Sequence, residues 1–301
     1  MIHVEHSSDL DFLKPGLHFM KVKDFAVTGD EFNLFYNADQ SVLMTSPQPN
    51  EQEIGKYYES ENYISHTDGK KNWFERAYQL VKYFSLKKKL KLINRLHPGK
   101  GILLDIGTGT GDFLTVAKKD GWKIFGVEPN TKARGLATGK GMEVLPSLED
   151  LREDQFDVIT LWHVLEHLPD VEHQLNKFHK LLKPDGLLVI AVPNFNCYSA
   201  KHYNSFWAAY DVPRHFWHFS RGGMKTILSK NQLQLVKTLP MKWDAYYVNL
   251  LSEKYKHGSM KVFSAFFHAV KCNLSAKRTG EYASLIYCVR KTQNQALSRD
   301  F

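Results

Sequence analysis

Asp105-Ile106-Gly107-Thr108-Gly109-Thr110-Gly111-Asp112-Phe113 is the segment whose residue types and spacing point most directly to chemistry. Apolar residues from Ile102 to Leu104 lead into it, three glycines alternate, and apolar positions recur at Phe113, Leu114, Val116 and Ala117 with helical spacing. The pattern predicts a buried strand, a tight turn and the first turn of a helix. Glycines carry no Cβ, so the backbone can bend sharply and approach a ligand closely. The helix start that follows offers free N–H groups. A ligand with a nucleoside-like body is the expectation. A second strand, Lys123 to Val127, ends in Glu128-Pro129. A carboxylate at that tip can accept both hydroxyls of a ribose.

The spacing narrows the ligand. A dinucleotide fingerprint needs G-x-G-x-x-G, with a third glycine under the pyrophosphate. Counting from Gly107, that position is Asp112, and the extra glycine falls one residue early at Gly111. An acid in the first helical turn repels a pyrophosphate but suits a helix N-terminus beside a neutral or cationic ligand. The ribose clamp is common to NAD and S-adenosylmethionine, so Glu128 alone does not decide. Asp105 and the G-x-G-x-G spacing favour the sulfonium compound.

On these residues the chain resembles the class I S-adenosylmethionine-dependent methyltransferases. Asp105 to Gly111 matches the first motif and Glu128 the acidic second one. Phe156 to Leu168 looks like the fourth strand and its loop, and Leu181 to Ile190 like a helix end, turn and fifth strand. The likeness is greatest to bacterial small-molecule enzymes of the group that includes the ubiquinone-biosynthesis O-methyltransferases. It implies an α/β, Rossmann-like fold: a seven-stranded, mostly parallel sheet with helices on both faces, its seventh strand antiparallel. It implies S-adenosylmethionine as cofactor, held by Asp105, Gly107, Thr108, Gly109, Gly111, Asp112, Phe113, Glu128 and Pro129. Ser147 and Leu148 would lie beside the adenine, and Trp162 and His163 near the methionine end. The expected reaction is methyl transfer to a small molecule, at a hydroxyl oxygen ahead of nitrogen or carbon. A noncatalytic cofactor-binding or scaffold protein is the alternative.

A second polar cluster, Asp211-Val212-Pro213-Arg214-His215-Phe216-Trp217-His218, follows the fifth strand and an aromatic loop. A hydroxyl acceptor needs a base with a pKa near working pH, and histidine fits. His215 is the first candidate and His163 the second, with Arg214 available to hold an acidic substrate group. The competing reading is a structural loop whose imidazoles bond backbone carbonyls.

Two features bear on metals. His163-Val164-Leu165-Glu166-His167 matches the zinc-peptidase pattern H-x-x-E-H, which requires one continuous helix through both histidines. Here His163 directly follows a buried strand, so Glu166 and His167 are expected to shape a loop. The N-terminal segment resembles a zinc ribbon found on some relatives, but Asn37 and Gln40 stand near the positions of two ligand cysteines. Neutral amides supply no thiolate, and no cysteine precedes Cys197. The expectation is no metal and a degenerate ribbon held by packing.

Around these sites the chain divides into a β-ribbon (1–50), a helical cap (51–97), a catalytic domain (98–291) and a polar tail (292–301). Candidate strands lie near 101–105, 123–127, 142–145, 156–161, 186–192, 234–240 and 283–290. An aromatic insertion at about 246–282 is too long for a simple connection and reads as a helical lid. In the cap, Tyr63 and His66 are candidates to line the pocket. The net charge is +8, and eight Lys or Arg lie between Arg76 and Leu104 without an acid. Leu86, Leu90, Ile93 and Leu96 recur there at helical intervals, so Lys87, Lys88, Lys89 and Lys91 are read as mostly a solvated face. No nucleic-acid module is present, and the Asn/Asp-Pro-Pro-aromatic run of DNA amino-methyltransferases is missing after the fourth strand. The expected setting is cytoplasmic, with a small-molecule substrate, no nucleic acid and no integral membrane association. Oligomeric state is not legible.

Overall fold

The computed structural model describes residues 12–58, 73–151 and 155–292. Three short strands come first: β1 (His18–Lys23), β2 (Glu31–Tyr36) and β3 (Val42–Ser46). A single helical turn, α1 (Glu51–Ile54), follows, closed by a capping box between Asn50 and Glu53. After α2 (Trp73–Leu96) the chain alternates: β4 (Ile102–Ile106), α3 (Asp112–Lys119), β5 (Lys123–Val127), α4 (Thr131–Gly139), β6 (Val144–Leu145), β7 (Phe156–Trp162), α5 (Val171–Leu181) and β8 (Leu182–Pro193). Then come α6 (Tyr198–Tyr203), β9 (Trp217–Phe219), α7 (Arg221–Lys230), β10 (Leu233–Pro240), the helical hairpin α8 (Asp244–His257) and α9 (Val262–Thr279), and β11 (Ser284–Lys291).

The large sheet has the order β10-β11-β8-β7-β4-β5-β6. Strands β4, β5, β6, β7 and β8 are parallel to their neighbours among themselves. β11 runs antiparallel to both β8 and β10. The seventh strand is therefore the reversed one, as expected. Its apolar residues divide by parity, because successive side chains point to opposite faces. Leu103, Val158, Leu187 and Val189 meet α2 and α3 through Leu92, Ile93, Phe113 and Leu114. Leu104, Ile159, Leu188 and Ile190 meet α5 and α7 through Leu175, Phe178, Ile227 and Leu228. Such strands read as continuous apolar runs because helices cover both sides. From β4 the sheet proceeds to β5 on one side and to β7 on the other. Ligands of open α/β sheets bind beside the carboxyl ends of the strands at such a reversal.

The N-terminal strands belong to a four-stranded sheet, β1-β2-β3-β9, whose last strand comes from residues 217–219. A third apolar cluster joins this sheet to the aromatic segment after β8 and to the hairpin: Val22, Phe32, Leu34, Tyr203, Trp207, Tyr210, Ala245 and Ala269 are all buried in it. Asn37 lies in the turn before β3. Its Oδ1 accepts from the backbone N–H of Ser41 (2.9 Å) and Val42 (3.0 Å), and its Nδ2 donates to the Phe12 carbonyl (3.0 Å). A buried amide thus closes the turn where the ribbon resemblance puts a ligand. Gln40 is exposed, with φ +57°. Tyr63 and His66 lie outside the described residues.

Candidate functional site

Because β4, β5, β6 and β7 run parallel side by side, their C-terminal tips form one edge, and the expected cofactor residues gather there. Asp105 is the last residue but one of β4, Glu128 and Pro129 follow β5, Ser147 and Leu148 follow β6, and Trp162 and His163 close β7. Gly107, Gly109 and Gly111 all take left-handed backbone, with φ of +66°, +56° and +75°. Other residues rarely adopt that conformation. A Cβ on Gly107 would strike the Val164 side chain, whereas one on Gly109 would meet nothing within 4 Å. The middle of the turn therefore faces open space. Glu128 is buried and braces the turn: Oε2 accepts from Gly109 N–H (2.8 Å) and Oε1 from Asn130 N–H (2.9 Å). Asp112 pairs with Lys140 at 2.8 Å. Phe113 is buried in the core and packs edge-on against Trp162 at 5.8 Å.

Asp105 is buried, and Thr160 Oγ1 donates to its Oδ1 at 2.5 Å. Burial pushes its carboxyl up to about 6, against the opposing hydrogen bond from Thr160 and the charge of Lys89. Lys89 is a correction to the solvated-face reading. Its ammonium stands 4.3 Å from the Trp162 ring centre. Burial lowers its pKa, while Asp105 and Asp244 act the other way. The signal was present in the sequence. Lys89 lies three residues after Leu86 and four before Ile93, on the apolar stripe, whereas Lys87, Lys88 and Lys91 lie off it.

The second candidate group departs further from expectation. Arg214 is not available to a substrate. It is 1% exposed, and its guanidinium donates to Asp24 Oδ1 (2.9 Å), to Asp211 Oδ1 (2.7 Å) and Oδ2 (3.1 Å), and to the Tyr57 carbonyl (2.7 Å). It clamps the first β-turn to the loop. His163 is not a base either. Burial alone would lower its pKa, but Asp244 Oδ2 lies 2.8 Å from Nε2 and Glu166 Oε1 3.4 Å from Nδ1, and together they raise it to about 10. A ring already protonated accepts no further proton. The residue has φ +60°, and Leu165–His167 is a single 3-10 turn. No continuous helix carries His163 and His167, so the peptidase pattern fails for its geometric reason.

His215 is buried, and its Nδ1 lies 3.0 Å from the Ala209 carbonyl. A carbonyl only accepts, so Nδ1 carries the proton and Nε2 the lone pair. Burial, with the neighbouring His167, holds its pKa well below the usual histidine range. By the same logic His167 is protonated at Nδ1, 3.0 Å from the Arg214 carbonyl. The two rings meet edge to face at 4.5 Å. Glu166, missed as more than a loop residue, is fully buried, and neither oxygen accepts a hydrogen bond among the described residues. Glu166, His167 and His215 offer ligand atoms within 4.8 Å of one another, a donor set of metal-binding type. The His163 ring lies between Glu166 and Asp244, one imidazole facing two carboxylates.

The sequence profile of a family described as a methyltransferase domain matches residues 65–238, more than half of the chain. The chain belongs to the class I S-adenosylmethionine-dependent methyltransferases. Relatives of this methyltransferase include the C-methyltransferase NovU of Streptomyces niveus, 27% identical over 145 residues, which are 45% of this chain and 33% of that protein. Ubiquinone biosynthesis O-methyltransferase of Actinobacillus pleuropneumoniae is 32% identical over 106 residues, 31% of this chain and 45% of that protein. The matched stretch spans a third to under half of these relatives. Among solved structures, the magnesium protoporphyrin IX methyltransferase of Synechocystis superposes with a TM-score of 0.54 at 13% identity, covering 80% of this chain and 100% of that one. That likeness shows the fold.

The family's cofactor fits the residues present. Gly109 leaves the turn open, Glu128 presents a carboxylate at the β5 tip, and Trp162 Nε1 is buried without an acceptor among the described residues. These groups offer room, an acceptor for hydroxyls and a donor at one edge of the sheet.

Proposed function

We propose that this protein methylates a hydroxyl oxygen of a small molecule, with the acceptor lying between the β4–β7 tips and the loop 211–216. The observation that carries this is that the loop after β7 borders two unlike groups: Val164 lies against Gly107 of the glycine turn, and the buried Glu166 lies beside His215. When bound, S-adenosylmethionine supplies a methyl group on a sulfonium that an acceptor oxygen displaces in line.

The chain's part is alignment and proton removal. Gly107, Gly109 and Gly111 fix the turn, Glu128 takes the ribose hydroxyls, and the β7 tip with Trp162 borders the methionine end. Bringing two reactants into line supplies much of the acceleration of such displacements. The acceptor proton passes to His215 Nε2, whose Nδ1–H stays on the Ala209 carbonyl. Asp211 Oδ2, 3.9 Å from Nε2, and Glu166 stabilise the imidazolium that forms. The O-methyltransferase among the relatives is consistent with an oxygen acceptor, and NovU keeps carbon in play.

Two measurements test the reading. Glu128→Ala should weaken S-adenosylmethionine binding in calorimetry by about 1.5–3 kcal/mol, the loss of hydrogen bonds to a charged acceptor. With an acceptor found by S-adenosylhomocysteine release, His215→Ala should lower kcat by about 10²–10⁴ and leave cofactor affinity nearly unchanged. A His215→Ala enzyme of normal turnover removes the base. Tight NAD binding without S-adenosylmethionine binding removes the whole assignment.

A further inference from the structure

α9 is inverted relative to an ordinary surface helix. Its inward stripe is Ala265, Ala269, Cys272 and Ala276, all buried and all small. Its large apolar side chains point the other way. Phe263 is 93% exposed, and Val262, Phe266, Phe267 and Leu274 are each more than half exposed. At 100° per residue these five fall on one side of the helix, with Lys271, Lys277 and Arg278 on the same side. Met260, in the loop before α9, is exposed as well. A helix that only needed solubility would place polar residues on that face. Contiguous exposed apolar surface of this kind marks an interaction site.

The charge around the patch selects the partner. From Lys254 to Gly280 the chain holds five lysines and one arginine and not one Asp or Glu. Aromatic side chains set among cations suit a surface that is apolar within and negative at its rim. A second copy of the chain would bring cation against cation across a two-fold axis, which opposes pairing. No helix among the described residues is long and apolar enough to cross a bilayer. An amphipathic helix bearing Phe and Lys lies along the headgroup plane instead. We propose that the outward face of α9 docks this protein on the surface of an anionic phospholipid bilayer, Phe263, Phe266 and Phe267 entering the acyl boundary and the lysines meeting lipid phosphates. The inward faces of α8 and α9 pack on the aromatic segment after β8, so docking would bring the candidate acceptor side close to the membrane.

The test is co-sedimentation of the full chain with phosphatidylcholine vesicles, with and without phosphatidylglycerol. Binding to the anionic vesicles should exceed binding to neutral ones by about tenfold or more and fall as added salt screens the attraction. The double variant Phe263→Ser, Phe266→Ser keeps the charge and should lose at least about tenfold of the vesicle binding. Its thermal midpoint should stay within a few degrees of the parent, which reports an intact fold independently of any activity. Changing Lys261, Lys271 and Lys277 to Gln should remove most of the salt dependence. No binding to either vesicle, or equal binding to both, overturns the proposal. So does a sedimentation profile in which the parent is a dimer and the serine variant a monomer, because the patch would then be a protein interface.

Discussion

The turn Gly107–Gly111 and the loop Asp211–Phe216 sit at the same edge of the sheet but are built in opposite ways. The turn is local: a strand, three left-handed glycines and a helix start lie within a dozen residues, and one distant side chain, Glu128, braces them. The loop is assembled from far-apart pieces. Arg214 reaches Asp24 across 190 residues and the Tyr57 carbonyl across 157, and Phe216 N–H donates to the Glu166 carbonyl at 2.8 Å. In the function proposed above, a nucleoside-type ligand would be met mostly by backbone, which short sequence dictates. The acceptor would be met by side chains whose neighbours only the tertiary fold supplies.

The difference is sharpest at Arg214. Replacing it with Ala leaves the buried Asp24 and the partly buried Asp211 without their cation, and removal of one partner from a buried pair costs about 3–5 kcal/mol. Urea unfolding of Arg214→Ala should show a loss of that order, and one below about 1 kcal/mol would show that the loop does not depend on its distant partners. The corresponding change on the cofactor side has the opposite sign. Asp105 rises from 3.8 to about 6 in the fold, so between these values the native state holds more protons than the unfolded chain. Stability therefore falls as pH rises through that window and stays lower above it. The two-unit shift bounds the loss at about 3 kcal/mol. Asp105→Asn should be more stable than the parent at neutral pH, should lack the fall between pH 4 and 6, and should bind S-adenosylmethionine more weakly. An unchanged pH profile would break the contrast. The smallest effect is expected in the ribbon: Asn37→Ala removes three hydrogen bonds and should cost about 1–2 kcal/mol in thermal unfolding.

Legibility followed the same division. The strands around 101–105, 123–127 and 156–161 were readable because burial on both faces makes them uninterrupted apolar runs, and the reversed last strand came with the family resemblance. The placement of Asp105, the glycines and Glu128 at the strand tips was readable because backbone chemistry constrains their spacing. Arg214 and His163 were found as polar residues in the right segments but given the wrong roles. Their roles depend on Asp24, Asp211 and Asp244, which no local pattern connects to them. Glu166 was passed over because a carboxylate between apolar residues in a loop looks the same in sequence whether it faces water or the interior. Lys89 differs again: the helical period did place it on the apolar stripe, and the surrounding lysines obscured it.

The pairing of β3 with β9 also orders events in time. Thr45 and His218, whose side chains meet at 3.1 Å, are 173 residues apart. At about 5–20 residues per second of synthesis, β3 emerges on the order of ten to thirty seconds before the strand that will cover its open edge. Throughout that interval Val42, Leu43 and Met44 line an edge with unpaired N–H and C=O groups, the kind of edge that captures other strands. Three strands of the small sheet are made before any strand of the large one, and the sheet is completed only when β9 emerges.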